Sequence, residues 1–513
     1  MSPLAHEYKS GGNAGVPLSK VENPEGKKVI SNGISRVHRL LTDEEIAQGR
    51  QSRWTELEIH GRIRNISMPL LEMRHLTALF LGNNLLTRIP PEISQLCNLT
   101  LLDLSNNKLR SLPAEIGDMI SLCHLYLNSN QIRVLPYELG KLFRLQTFAL
   151  QQNPLSPDIS KIYHDVNGDK KLLQHLLDHL AINTAPPPER QWIVVRPADP
   201  EKPIATFTVL CYNVLCDKYA TTNLYSYCPQ WALNWEYRKQ YIIKEICHYD
   251  ADIITLQEVE TEQFRLLFQP KLEATMNEEE KRYVDGCAIF WKFDKFEMER
   301  NELFELGGIK VAMEKAQAHE NMLNRVMPRD NIALAVVLRI KENLYNNHSG
   351  HRLNINASEN VVGNMLVVCT AHIHWDPEFC DVKLIQSMML VHELNKVLEK
   401  VAAKHHLSTQ QVPVLICGDF NSLPESGVFE YLSKGAIAKD HPDLKNFRDD
   451  TCLNRLSASP DDNRNFTHAL RLDSAVDPSS HIKYTNYTLD FKGMIDYIFA
   501  TPQSLARLGI LGL

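Results

Sequence analysis

Val414-Leu415-Ile416-Cys417-Gly418-Asp419-Phe420-Asn421-Ser422 is an apolar run that ends abruptly in an acid and then an amide. Such a run is too short for a helix and reads as a buried strand, with Asp419 and Asn421 delivered at its end. The same texture recurs in Thr208–Asn213, Ile253–Glu258, Leu366–His372 and Ile495–Phe499. Long helical patterns separate some of these runs, notably from Val382 to Ala403. The alternation predicts an α/β sandwich whose polar residues gather where its strands stop.

An isolated Asp or Asn at a strand end is ordinarily a turn or cap residue. The set is another matter. Asn213, Glu258, His372, Asp419, Asn421 and Asp496 each stand at the end of an apolar run, or just inside it. Several carboxylates brought to one sheet edge are readily explained by ligation of a hard cation or by general acid-base chemistry. Oxygen donors without thiolates favour magnesium or manganese over zinc.

Working back toward the amino terminus, the pattern becomes periodic. Leu79-x-Leu81-x-x-Asn84 recurs as Leu102-x-Leu104-x-x-Asn107, Leu125-x-Leu127-x-x-Asn130 and, more loosely, Phe148-x-Leu150-x-x-Asn153. The asparagines fall at 84, 107, 130 and 153, a constant period, with Ile89-Pro90, Leu112-Pro113 and Leu135-Pro136 in phase. This is the signature of a leucine-rich repeat solenoid, in which each unit supplies one short strand and must stack on its neighbours to bury a core. Trp54 with Leu57-x-Ile59 reads as a degenerate capping repeat, and Leu172, Leu173, Leu176, Leu177 and Leu180 define an amphipathic closing helix over Asp169–Leu180. The expected division is a mobile tail at 1–49, the repeat domain at 50–183, a Pro-rich linker at 184–202 containing Pro186-Pro187-Pro188, and the α/β domain at 203–513.

Composition narrows the function classes. The 513 residues carry 55 Lys and Arg against 62 Asp and Glu, a net charge of −7, which excludes a wholesale basic coat for nucleic acid and leaves only a local groove. No apolar run is long enough to span a membrane, and the first 50 residues show no secretory signal. Eleven cysteines without a CxxC pair read as reduced thiols of a cytosolic or nuclear protein, which makes the Asn98-Leu99-Thr100 sequon a chance match.

Tyr212-Asn213-Val214-Leu215, Leu256-Gln257-Glu258-Val259, Thr370–Pro377, Cys417–Ser422 and Met494–Ile498 together resemble the successive motifs of the endonuclease/exonuclease/phosphatase superfamily. With the repeats in front, Met327–Asn331 and Val284–Phe290 narrow the resemblance to the carbon catabolite repressor type of poly(A) deadenylase, a catalytic subunit of the complex built on the NOT scaffold. It covers about residue 40 to the last residue and implies a 3′ exonuclease that shortens mRNA poly(A) tails, releasing AMP with the help of two magnesium ions. By matching motif, Glu258 would ligate one metal, and Asp419 with Asn421 would serve the other metal and the attacking water. Asn213 would orient the carboxylates, His372 would contact phosphate, and Asp496 would position a further histidine. Pro377 and Phe491 would sandwich an adenine, with Glu280 and Asn486 as further substrate contacts. The repeats would engage a second, DEDD-type deadenylase subunit and through it the NOT scaffold; no membrane is implied.

Two departures accompany the resemblance. The family carries a Ser-Asp-His motif after the strand that holds Asp496, whereas this sequence runs to Leu513 without a later Asp-His. A missing phosphate donor of that kind costs on the order of 10²-fold in rate, so the expectation is a shortened form with an incomplete sandwich and impaired catalysis. Between Glu273 and Met276 the family has a further basic segment that is absent here, which puts Glu280 in doubt and suggests splicing. Two rival readings stay open. One is a binding protein acting through its repeats; the other is different phosphodiester chemistry on the same fold, on abasic DNA or a lipid phosphate. His374 and His468 read as packing or surface histidines, and Glu278-Glu279 as a solvated face.

Overall fold

The computed structural model describes residues 29–31, 34–36, 54–181, 189–197, 205–272, 286–305, 321–345, 360–447, 451–476 and 482–512. The expected prolines 186–188 and Glu280 lie outside the described residues. Contacts divide the chain into two units, 1–181 and 182–513. Within the stretch expected to be a tail, β1 (Val29–Ser31) pairs antiparallel with β2 (Ile34–Arg36).

In the first unit, β3 (Glu56–Glu58), β4 (Ala78–Phe80), β5 (Leu101–Asp103), β6 (His124–Tyr126) and β7 (Thr147–Ala149) form one parallel sheet in chain order. The periodic asparagines explain the stacking. Asn107 Nδ2 donates to Leu104 O of its own repeat at 3.0 Å and to Leu81 O of the preceding one at 2.9 Å, while its Oδ1 accepts Leu86 N at 3.0 Å. Asn130 repeats the pattern with Leu127 O, Leu104 O and Leu109 N. One buried amide thus satisfies backbone groups of two turns, which would otherwise be orphaned in an apolar core. Helix α1 (Gly168–Asp178) buries Leu172, Leu173, Leu176 and Leu177 and closes the stack.

The second unit begins with β8 (Trp192–Val194). A three-stranded sheet, in the order β11 (Gly286–Trp291), β10 (Ile253–Val259), β9 (Val209–Asn213), faces a six-stranded one. The larger sheet runs β12 (Phe296–Glu305), β13 (Ile332–Ile340), β14 (Met365–His372), β15 (Val414–Asp419), β21 (Asp496–Ala500), β18 (Asp473–Ser474). Between β15 and β21 lie the short pairs β16 (Ala436–Ala438) with β17 (Asn465–Thr467) and β19 (Asn486–Tyr487) with β20 (Lys492–Gly493), and β22 (Gly509–Leu511) pairs with β8.

Three cores define four layers. Ile253, Ile289, Leu334, Val336, Leu366 and Val368 fill the space between the sheets. Helix α2 (Trp235–Tyr249) covers the small sheet through Ile242 and Ile246, and α3 (Cys380–His405) with α4 (Gly427–Lys434) covers the large one. Strands β14 and β15 are buried along nearly their whole length, so they read as continuous apolar runs rather than alternating ones. That is the two-sheet α/β sandwich the sequence predicts.

Candidate active site

Strand registry brings the polar ends together. Asn213 of β9 stands opposite Gln257 of β10, His372 of β14 opposite Asp419 of β15, and Asp419 opposite Asp496 of β21. Glu258 comes from an irregularity: the β10–β11 register shifts between Leu256 and Val259, and Glu258 takes a left-handed φ of 59°. Non-glycine residues rarely adopt this conformation, and it persists only where the surroundings over-determine it. Here they do, since Glu258 Oε2 accepts Cys216 N at 2.9 Å.

Asn213 joins the two sheets. Its Nδ2 donates to Glu258 Oε1 at 2.9 Å and to Asp419 Oδ2 at 3.0 Å, and its Oδ1 accepts Leu215 N at 2.9 Å. A single amide therefore fixes one carboxylate from each sheet. His372 Nε2 lies 3.8 Å from Glu258 Oε1, and its carbonyl accepts Asn331 Nδ2 at 3.1 Å.

Beyond β15 the chain turns sharply. Asp419 Oδ1 accepts Asn421 N at 2.9 Å, Asn421 Nδ2 donates to Ile373 O at 2.9 Å, and Lys383 Nζ donates to Asn421 O at 2.8 Å. Asn421 also has a left-handed φ, 44°. Among the described residues its Oδ1 accepts no hydrogen bond and is available to a ligand. Gly418 permits the turn, because a Cβ there would overlap the Ala371 carbonyl oxygen.

The electrostatics favour a cation. Burial holds the Asp419 carboxyl above its ordinary range, opposed by His372 and by the Asn213 and Asn421 hydrogen bonds. Burial, with Asp419 beside it, drives Asp496 well above its ordinary value, against the donated Thr485 hydrogen bond. Three acids thus converge with little compensating charge. Among the described residues no group of three or more His, Cys, Asp or Glu side chains is arranged so that it could by itself hold a metal ion. An oxygen-lined, half-built site nevertheless fits a hard divalent ion, which keeps its waters and takes only one or two carboxylates from the protein.

The remaining predicted contacts border this centre. Pro377 is exposed and follows Asp376, whose side chain caps Glu378 N at 2.9 Å. Asn486 pairs with Gly493 in the β19–β20 hairpin. Phe491 is exposed beyond it, and a Cβ on Gly493 would meet Leu423 Cδ2 at 2.6 Å and Phe491 Cζ at 2.7 Å. His374 is a packing residue, edge-on to Phe379 at 5.4 Å and lowered to about 4 by burial. His468 packs on Tyr431 at 4.6 Å. Sequence reasoning missed Lys383, a charge on the buried face of α3, and Thr485, whose Oγ1 accepts the Ile495 and Asp496 amides at 2.9 and 3.0 Å. Nothing in the sequence marks the first, since Lys383 shares its helix face with the polar Gln386 and Ser387; nothing local marks the second.

Residues 210–513 match the endonuclease/exonuclease/phosphatase family, and residues 74–132 match the leucine rich repeat. CCR4-NOT transcription complex subunit 6-like of Danio rerio is 48% identical over 519 residues, covering 97% of this chain and 89% of that protein. Subunit 6-like-B of Xenopus laevis is also 48% identical, over 97% of this chain and 91% of its own length. The CCR4-Not complex 3′-5′-exoribonuclease subunit Ccr4 of Schizosaccharomyces pombe is 41% identical, over 89% of this chain and 70% of its own. The chain therefore belongs to the endonuclease/exonuclease/phosphatase family, alongside the CCR4-NOT subunit 6-like and Ccr4 proteins.

Proposed function

We propose that the chain is a 3′-to-5′ exoribonuclease that shortens poly(A) tails, releasing AMP, as a catalytic subunit of a NOT-scaffolded complex. The observation that carries this is the Asn213 amide bridging Glu258 and Asp419 across the two sheets, with His372 beside them. Such an assembly suits attack on a phosphodiester, where charge must be held at phosphate while water is activated. Nucleases of this family are metal-dependent. Glu258, and Asp419 with Asn421, would hold divalent ions, magnesium by preference and two in number. Bound there, they would offset phosphate charge and acidify the attacking water.

The protein's own groups do the rest. Asn213 keeps both carboxylates aimed inward. Asp419, raised by burial, is placed to take a proton from water. His372 donates toward a phosphate oxygen. Asp496 stands beside Asp419 in register, fixed at its backbone by Thr485, and adds a third acid to the centre. Pro377 and Phe491 hold the terminal adenine by its faces, with Asn486 near its edge. Stacking is indifferent to net charge, which suits a chain of −7.

The repeat array is assigned to the DEDD-type deadenylase subunit, on the sheet face where Phe80 and Tyr126 alternate with fully buried leucines. Phe80→Ala with Tyr126→Ala is expected to abolish its co-purification with the full chain. We place this work in the cytosol and nucleus, compartments suited to eleven cysteines held outside disulfides. Among the described residues no helix is long and apolar enough to cross a membrane. Competition among oligo(A), oligo(U) and a soluble phosphoinositide for one Mg²⁺-dependent activity tests the substrate class. Oligo(A) should dominate; preference for the phosphoinositide would overturn the reading.

A further inference from the structure

Trp375 is the most exposed of the six tryptophans, at 70%. An indole carries about 150–250 Å² of largely apolar surface, so leaving it in water forgoes much of what burial normally gains. Single exposed apolar residues are common and usually mean nothing. This one differs in its position and its rigidity.

Its loop connects two residues already assigned to substrate, His372 and Pro377, and is pinned on every side. Asn331 Nδ2 holds the His372 carbonyl at 3.1 Å, and Asn421 Nδ2 holds the Ile373 carbonyl at 2.9 Å. Gln386 Oε1 accepts the His374 amide at 3.0 Å, and Asp376 caps the next turn. The His374 ring, itself buried, meets the indole at 6.3 Å. An exposed aromatic on a fixed support is preorganised to bind and loses little entropy when it does.

Distance limits what could cover it. Two residues of chain separate the Trp375 and Pro377 backbones by at most about 7 Å. Stacked neighbouring bases of a nucleic-acid strand rise by about 3.4 Å, so a nucleotide next to the one gripped at Pro377 falls within reach of the indole. We propose that Trp375 is a second base-stacking subsite, which takes the penultimate base of the single-stranded substrate. This rests on the poly(A) reading above and adds a residue that acts on the upstream neighbour of the terminal adenine.

A protein–substrate cycle tests it on the full chain. First-step release of AMP is measured from a labelled A12 oligonucleotide and from the same oligonucleotide with an abasic ribose at the penultimate position. Loss of one stacked base costs about ten-fold in kcat/KM. The wild type should lose about that much on the abasic substrate. Trp375→Ala should lose about as much on A12, mostly through KM, and nothing further on the abasic substrate, while Trp375→Phe should recover most of the rate. Thermal unfolding of Trp375→Ala should match the wild type, because the side chain is exposed. Additive losses, or a Trp375→Ala enzyme equal to wild type on A12, would overturn the subsite and leave the indole to a protein partner. A wild type that neither binds nor cleaves A12 overturns the poly(A) reading and the subsite with it.

Discussion

Replacing Asn213 by Asp keeps the shape of the side chain and reverses its role at one atom. The Nδ2 that donates to Glu258 Oε1 at 2.9 Å and Asp419 Oδ2 at 3.0 Å becomes an oxygen. Two hydrogen bonds to charged acceptors are lost, each worth about 1.5–3 kcal/mol in a protected site. If both are realised at the transition state, the barrier rises by about 3–6 kcal/mol, a loss of roughly 10²- to 10⁴-fold in rate. A fourth acid also joins Glu258, Asp419 and Asp496, and its like charge adds to the burial that already holds Asp419 above its ordinary range. Leu215 N keeps an acceptor, so the turn after β9 survives. The assay is initial-rate shortening of oligo(A) at saturating Mg²⁺, paired with a thermal melt. The expected result is a kcat at least 100-fold down, with a melting shift of only a few degrees. Retention of more than a tenth of wild-type kcat would refute the claim that this amide organises the site.

Other consequences follow from packing and charge. Gly493→Ala places a methyl against the Phe491 ring edge and Leu423, so KM for oligo(A) should rise several-fold while far-ultraviolet circular dichroism stays unchanged. Asn107→Ala leaves two buried carbonyls and one amide of adjacent repeats without partners; denaturant melts should show a loss of about 2–4 kcal/mol from the repeat unit. Glu299 is held at about 2 by Lys404, against its own burial, with His405 and Arg339 adding to the effect. Because its folded value lies below the ordinary 4.5, its contribution is fully present above about pH 4.5 and disappears as pH falls through 2. Lys404 and Arg339 are 63% and 46% exposed, so screening trims that contribution to about 1–2 kcal/mol. A Glu299→Gln variant should melt a few degrees below wild type at pH 7, and the gap should shrink between pH 4.5 and 2.

Much of the centre is legible in the sequence because a strand end is a local signal. Asn213, Glu258, His372 and Asp419 each stand at the end of a predominantly apolar run, and the structure brings all four together. The repeats are clearer still, since a period is visible without tertiary knowledge. What stays hidden depends on contacts distant in sequence. Lys383 reaches Asn421 from a different element, Gln386 of the same helix holds the loop of His374, and the left-handed turn at Glu258 falls where β10 carries an extra residue against β11. Strands β12 and β13 were also missed. In the sheet they lie on the far side of β14 from the Asp419 strand, and the polar residue before β13, Asn331, serves the His372 carbonyl and is not itself an acid of the centre.

The central claim is that these residues hydrolyse the 3′ end of an adenylate chain, and release of AMP reads it directly. The purified 513-residue chain with Mg²⁺ and 5′-labelled A20 should yield AMP and a ladder shortening one nucleotide at a time. EDTA should abolish both, and Glu258→Ala and Asp419→Ala should lie at background. AMP release by the wild type no greater than by Asp419→Ala would contradict the account.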